Sequence, residues 1–409
     1  MKIHMDELIQ SIAAALDIVE SEFLGVSTHH GKRIAVLCAL MANELGMSEN
    51  EKRAVTTCAL FHDNALTEYI LYKHANTESD INLRLHCEYG QRNIEMFPFD
   101  SDVSGLILYH HEQADGKGSF GKKEGEFPEG AGLIAIADTL DLDCHLQRVP
   151  YEKLPSIQKE IAEQSGKKYT TTAANAMLAV LNEDTLLSLR DENIAQTTAR
   201  ILPAWELSID SKSIMSLAGL AARIIDHKSV FTKNHSVQIA NRVWLMGGYY
   251  GFEPVKRAKV YLAASLHDIG KLSTPNAILD KPGKLSEKEF EIIKNHVKVT
   301  HDLLNEITGF EEVCRWAASH HEKLDGTGYP FGKNAEELDF SDRLIACTDI
   351  YQAVSEKRPY HSGRDHVQTM QILGGMADRG FVDKDIVKDF DTVMAEYSEK
   401  AVPPPDFTF

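Results

Sequence analysis

Seven histidine and aspartate positions occur twice in this 409-residue chain, in the same order and at nearly the same intervals. The first set is His30, His62, Asp63, His86, His110, His111 and Asp138; the second is His235, His267, Asp268, His296, His320, His321 and Asp349. The interval from His30 to His62 equals that from His235 to His267, 32 residues, and both His86 to His110 and His296 to His320 span 24. A single histidine on an apolar helix face is usually a satisfied core residue. Ten of the 18 histidines at matched positions require a shared site in each half. Imidazole nitrogen and carboxylate oxygen suit iron, manganese, zinc or nickel. An aspartate beside a histidine can bridge two such ions, and a metal pair activates water and clamps the attacking and leaving oxygens of an in-line displacement at phosphorus. The chemistry implied is metal-assisted phosphoester hydrolysis.

The elements that carry these residues repeat as well. STHHGKRIAVLCALMANELGMSENEKRAVTTCALFHD aligns without a gap to TKNHSVQIANRVWLMGGYYGFEPVKRAKVYLAASLHD, and YHHEQADGKGSF to SHHEKLDGTGYP. Such a period marks a tandem duplication. Strand signals are almost absent, whereas SIMSLAGLAARIID, VQIANRVWLMGGYYG and EKEFEIIKNHVKVTHDLLNEI carry apolar residues at helical spacing,. The expectation is an all-α protein of two helical bundles, 1–205 and 206–409. MKIHMDELIQSIAAAL reads as an amphipathic helix, and NEDTLLSLRDENIAQTTARILPAW as a closing helix that turns at Pro203. Loops fall at NAILDKPGKL, LDGTGYPFGK and KAVPPPDF,.

Composition limits the partners. A chain of this length exceeds one ordinary core, in line with two domains. It has no apolar run long enough to span a bilayer and no signal peptide, so a cytoplasmic location without membrane attachment is expected. A net charge of −18 argues against a polymeric nucleic acid partner, which needs a broad cationic face,. A small phosphorylated ligand remains compatible where metals and a few bases gather. The six cysteines are scattered without a CxxC pair, which predicts reduced, buried thiols,.

The second half resembles the HD-GYP subgroup of the HD superfamily of metal-dependent phosphohydrolases. The matching pieces are FTKNHS, LHDIGK, PNAILDKPGKLSEKE, HHEKLDGTGYP and DIYQAVSEKRPY, covering nearly all of residues 206–375. The resemblance implies a helical bundle that hydrolyses cyclic di-GMP to pGpG or GMP, or in some members cyclic GMP-AMP. It implies two divalent ions, iron or manganese first and nickel or zinc otherwise, on His235, His267, Asp268, His296, His320, His321 and Asp349. Asp268 takes the bridging and catalytic role. Lys271 contacts phosphate, as do Arg358 and Tyr360 of RPY, the arginine by its planar fork of donors. Tyr329 of GYP packs its loop, lines the substrate cleft or meets a partner, and a homodimer or a signalling protein is compatible with the pattern. The chain departs from the family at four points. Phe231 stands where members with a third metal carry glutamate, His361 where a basic residue follows RPY, Gln352 where aspartate is frequent, and Thr300 where glycine is common. These departures favour a two-metal site and bear on substrate affinity or base preference.

The first half keeps its own ligand set as a second metal site, but Leu66 replaces the lysine and GKGSF replaces GTGYP. His62 to His86 spans 24 residues against 29 from His267 to His296, through loss of the loop ending in PGKL. This is the pattern of a divergent HD domain for which a regulatory or scaffolding role is favoured over independent catalysis, with Arg148 and Tyr151 of RVPY echoing RPY as a trace of phosphate binding. Two other functions compete with cyclic-dinucleotide hydrolysis. One is an HD phosphohydrolase acting on another nucleotide, against which Lys271, the GYP loop and Arg358 speak. The other is a non-hydrolytic sensor or adaptor, against which the complete ligand set speaks.

Overall fold

In the computed structural model the chain divides into two units, His4–Glu206 and Leu207–Phe409, the latter joined by Met1–Ile3. The structure describes residues 2–24, 28–66, 68, 83–97, 99, 102–208, 211–229, 234–356 and 363–397. Phe231, Arg358, Tyr360 and His361 lie outside the described residues. Both units are all-α. Among the described residues the strands are β1 (Lys2–His4) and β2 (Glu206–Ser208), which pair with each other. No described helix is long and apolar enough to cross a membrane.

The first unit contains α1 (Met5–Leu24), α2 (His30–Glu44), α3 (Glu49–Leu60), α4 (Leu83–Ile94), α5 (Glu129–Cys144), α6 (Leu154–Gln164), α7 (Thr171–Val180), α8 (Glu183–Ser188) and α9 (Ile194–Ile201). α2 is its centre, packed on α3, α5 and α7. Its run Ile34-Ala35-Val36-Leu37-Cys38 is buried without a polar stripe, as a helix surrounded by others must be,. Arg33 shares this interior because its N–H groups are taken up, two by Asp141 at 2.7 and 2.9 Å and one by the Thr28 carbonyl at 2.7 Å,.

The second unit contains α10 (Ser211–Asp226), α11 (His235–Tyr249), α12 (Pro254–Leu266), α13 (Asn276–Leu279), α14 (Glu287–Asn305), α15 (Glu311–Ala317), α16 (Phe340–Ser355), α17 (His366–Asp378) and α18 (Lys384–Met394). α12 packs on α10, α11 and α15. α18 is amphipathic: Ile386, Phe390 and Met394 recur every four residues and join Leu344, Cys347, Tyr351 and Leu373 in one core cluster,. Burial of Phe390 alone contributes about 1.5–3 kcal/mol. Capping boxes start α3 (Ser48 with Glu51), α14 (Ser286 with Glu289) and α16 (Asp339 with Asp342), which fixes the register of the helices that carry or precede site residues,.

Two details differ from the sequence reading. The N-terminal helix begins at Met5, because Lys2–His4 is extended and pairs with β2, with Ile3 fully buried. The closing segment is two helices, not one: the Asn193 amide donates to the Leu187 carbonyl at the end of α8, and Arg190 turns away to donate to the carbonyls of Gln147 and Val149. The cysteines are free thiols, all buried except the half-buried Cys144.

Candidate metal centres

Helix ends and helix interiors together build both sites, with His86, Asp138, His296 and Asp349 lying inside α4, α5, α14 and α16. His30 and His235 are the first residues of α2 and α11, each preceded by a non-glycine residue in the left-handed region, His29 (φ 66°) and Asn234 (φ 68°). That conformation is unfavourable for a side-chain-bearing residue and recurs here at matched positions beside a ligand. His267 follows the last residue of α12, where helix carbonyls lack their usual partners,. Its Nδ1 meets one of them, Ala264 O, at 2.7 Å. His62 does the same with Ala59 O (2.9 Å) and His320 with Ala317 O (2.7 Å), while His296, inside α14, meets Ile293 O (2.5 Å) and His110, in a turn, meets Ile107 O (2.5 Å). In each ring Nδ1–H donates to a carbonyl three residues back, so Nε2 carries the lone pair that a metal would use.

The carboxylate of Asp268 divides the second site. Its Oδ2 lies 3.2 Å from His267 Nε2 and 3.8 Å from His235 Nε2, while Oδ1 lies 3.2 Å from His296 Nε2 and 3.8 Å from His320 Nε2. The donor atoms accordingly form two groups, His235–His267–Asp268 and His296–His320–His321, each compact enough to surround one ion. Asp349 reaches both sides, Oδ1 at 3.4 Å from His235 Nε2 and Oδ2 at 3.7 Å from His321 Nδ1. The first site repeats this. Asp63 turns Oδ2 to His62 (3.6 Å) and Oδ1 to His86 (2.8 Å), and the groups are His30–His62–Asp138 and His86–His110–His111.

Nearly every one of these side chains is buried, so the donors need partners,. His267 Nε2, Asp268 Oδ1, His62 Nε2, His86 Nε2 and His110 Nε2 have none aligned for a hydrogen bond, even where a carboxylate lies close. Donors bound at about 2.0–2.2 Å to one ion sit about 3–3.5 Å apart, close to the separations found, so the residues fit a metal. Burial pushes the carboxyl of Asp268 up, but His267 and Lys271 outweigh it and hold the group well below the usual carboxylate range. Burial, reinforced by His321 and His267, drives His320 well below the ordinary imidazole value. An ionised Asp268 beside a neutral His320 is the pairing of protonation states that a divalent cation requires of its ligands,. His235 goes the other way: burial lowers it, but Asp349 and Glu356 hold it up at about 9.

Lys271 stands one turn past Asp268, with Nζ 2.5 Å from Asp268 Oδ2, and Leu66 fills the matching place in the first unit. Tyr329 lies with its ring centroid 4.8 Å from that of His321, and its N–H donates to the His321 carbonyl (3.2 Å). The GYP loop is therefore packed against a candidate ligand. Sequence reasoning passed over what holds it there. The Glu322 carboxylate, next to the histidine pair, accepts the N–H groups of Phe331 (2.7 Å) and Lys333 (3.0 Å). Glu112 does the same for Phe120 (2.5 Å) and Lys122 (2.6 Å). This draws the loop so close that a β-carbon at Gly328 or Gly118 would collide with the backbone of the same glutamate. The repeat of HHE in both halves was the signal.

Two of the departures have local explanations. Thr300 donates to the His267 carbonyl (3.0 Å) and accepts the N–H of Gly270 (3.1 Å), whose own lack of a β-carbon lets it rest on the His296 carbonyl. The first unit makes this contact with the glycine on the other side, Gly90 against Asn64. Gln352 accepts from Arg242 (2.5 Å), and the carboxylate behind His235 is supplied by Glu356, 3.1 Å from Nδ1. In the first unit Asp141 occupies the place of Gln352 and meets Nδ1 of His30 at 2.6 Å. Another pair missed by sequence reasoning is Asp17 and Asp226, which accept the N–H of Gly31 (3.0 Å) and Ser236 (2.8 Å), the residues after His30 and His235. Unequal spacing to the histidines hid their equivalence.

Comparison with known proteins places this geometry. A model of the HD domain family matches residues 16–169 and again 219–386. The 3'3'-cGAMP-specific phosphodiesterase 1 of Vibrio cholerae is 29% identical over 393 residues, 94% of this chain and 89% of that protein. The cyclic di-GMP phosphodiesterase PA4108 of Pseudomonas aeruginosa is 37% identical over 116 residues, 27% of each. The crystal structure of a cyclic GMP-AMP-specific phosphodiesterase of V. cholerae, V-cGAP3, shares the fold, with a TM-score of 0.66 at 22% identity over 97% of this chain and 98% of that one.

Proposed function

The chain belongs to the HD domain family, and from that premise we propose that its second unit hydrolyses a cyclic dinucleotide with two divalent ions, iron or manganese, held by His235, His267, Asp268, His296, His320, His321 and Asp349. The observation that carries the reading is Asp268, whose two oxygens face two separate histidine groups. When bound, the metal pair supplies Lewis-acid charge and an acidified water for in-line displacement at phosphorus. The chain's own residues do the rest. Lys271, 2.5 Å from Asp268, is placed to exchange that carboxylate for a phosphate oxygen of the substrate,. Tyr329 covers His321 and shields that side of the cleft from water. Arg358 and Tyr360 follow α16 in sequence, and the reading assigns them to the second phosphate.

Of the two candidate substrates, 3'3'-cGAMP is the first to test, because the relative named for it aligns along almost the whole chain, whereas PA4108 aligns over a quarter. The first unit, with Leu66 in place of the lysine, is read as a metal-binding HD domain with a regulatory or scaffolding role. The test is hydrolysis of both dinucleotides by protein reconstituted anaerobically with Fe(II) or Mn(II). Linear product from the wild type and from His62→Ala/Asp63→Ala, but not from His267→Ala/Asp268→Ala, is the expected result. Metal binding without cleavage of either dinucleotide would sink the proposal in favour of a sensor or of an HD phosphohydrolase acting on another nucleotide, and equilibrium binding of the same dinucleotides would separate those two.

A further inference from the structure

The end of α5 forms a cavity in the first unit that none of its seven metal-site residues lines. Its volume is about 450 Å³, and its walls include Cys144, His145, Arg148, Lys153 and Ile157. The helix stops because His145 turns left-handed (φ 52°), its N–H still donating to the Asp141 carbonyl. Arg190 then pins the following loop by donating to the carbonyls of Gln147 (3.2 Å) and Val149 (2.9 Å), with its guanidinium 5.6 Å from the Tyr151 ring. The motif that echoes RPY in sequence is thus fixed: Tyr151 lies under Arg190, while Arg148 borders the cavity.

The chemistry of the lining is specific. Val149 and Ile157 are buried and give an apolar floor, whereas His145, Arg148 and Lys153 are exposed. Among the described residues neither Arg148 nor Lys153 pairs with a carboxylate, in a chain whose net charge is −18. The nearby Asp143 is instead drawn to Lys168, at 3.3 Å. An apolar floor with two unpaired cations at its edge, in a volume typical of small-molecule sites, fits a ligand with a flat ring and a phosphate. Guanidinium binds phosphate through two parallel N–H groups, and Lys153 adds a point charge.

We infer that this cavity binds a nucleotide at a site separate from the metal-site residues of its unit, with its base on Val149 and Ile157 and its phosphates on Arg148 and Lys153. Cys144 reports occupancy, because it lines the cavity and the other five cysteines are buried. The experiment is alkylation of the native full-length protein with iodoacetamide, read by mass spectrometry at Cys144, with GMP, the linear dinucleotide pGpG or inorganic pyrophosphate present. Protection follows 1 + [L]/Kd, so a nucleotide at roughly ten times its Kd slows labelling about tenfold. The Arg148→Glu/Lys153→Glu variant should lose that protection while keeping the wild-type melting temperature, since both side chains are exposed. Labelling that neither nucleotide slows, or protection that survives the double charge reversal, overturns the site. Equal protection by pyrophosphate overturns the nucleotide assignment, for it would show that the apolar floor is not used. None of these outcomes depends on hydrolysis by the second unit.

Discussion

Nδ1 of His235 meets the carboxylate of Glu356 at 3.1 Å, one helical turn beyond the position at which Asp141 serves His30 in the first unit. The matching residue of α16, Gln352, is turned to Arg242 instead. The support behind the ligand has moved along the helix without being lost. Loss of such an outer carboxylate typically lowers metal affinity about 10–100-fold. Glu356→Ala is therefore expected to weaken metal binding in the second unit by that factor, read by competition with a chromogenic chelator. Adding Gln352→Asp should restore most of it. A Glu356→Ala protein with unchanged affinity would show that His235 needs no such support.

The GYP loop offers a paired test. Gly328→Ala forces a β-carbon onto the Glu322 backbone, so the loop must move and carry Tyr329 off His321. Overpacking of this kind costs about 1–3 kcal/mol. Gly118→Ala meets the same obstacle at Glu112 in the first unit. Both variants should melt lower than the wild type, but only Gly328→Ala should lose dinucleotide hydrolysis. Equal loss of activity in both would mean that the first unit takes part in the reaction.

The histidine and aspartate clusters were legible in the sequence because duplication showed them twice: a matched interval of 32 residues is hard to produce by core packing alone. The all-α architecture followed from helical periodicity. What could not be read were residues whose role depends on three-dimensional contact. Asp141, within α5, and Glu356, just past α16, serve the same histidine position, Asp17 and Asp226 sit at different distances from theirs, and the pairing of Lys2–His4 depends on Glu206–Ser208 at the far end of the first unit's sequence. Thr300 read as a departure with consequences for substrate, yet its hydroxyl joins two backbone groups where the chain crosses α14. Arg148 read as a trace of a phosphate contact, and it borders a separate cavity.

Arg33 is fully buried against Asp141, whose carboxylate also receives His30. Replacing Arg33 takes both guanidinium donors from Asp141 and leaves His30 as its remaining side-chain partner, so the cost reaches up to about 3–5 kcal/mol, the range for a buried pair that loses one member,. Arg33→Met should lower the melting temperature of the first unit, whereas Arg33→Met/Asp141→Asn should recover part of the loss. Differential scanning calorimetry of both variants checks this, and a neutral Arg33→Met would show that His30 alone suffices for Asp141.

Asp342 gives a pH dependence with a defined sign. The residue is 1% exposed at the start of α16, its Oδ2 accepts the Asp339 N–H (2.9 Å), and Oδ1 has no hydrogen-bond partner. Burial, with Asp339 adding to it, pushes its carboxyl from 3.8 up to about 6, against the weaker pull of Arg315. Between those values the folded protein holds a proton that the unfolded chain has released. Stability from this group is therefore highest below about pH 4, falls as pH rises toward about 6, and stays low above it, by on the order of 3 kcal/mol. Asp342→Asn keeps an acceptor for the capping N–H and removes the titration. Relative to the wild type, the variant should gain melting temperature from about pH 4 to about pH 7, with most of the gain below about pH 6. A constant difference across that range would mean that Asp342 titrates normally in the folded protein.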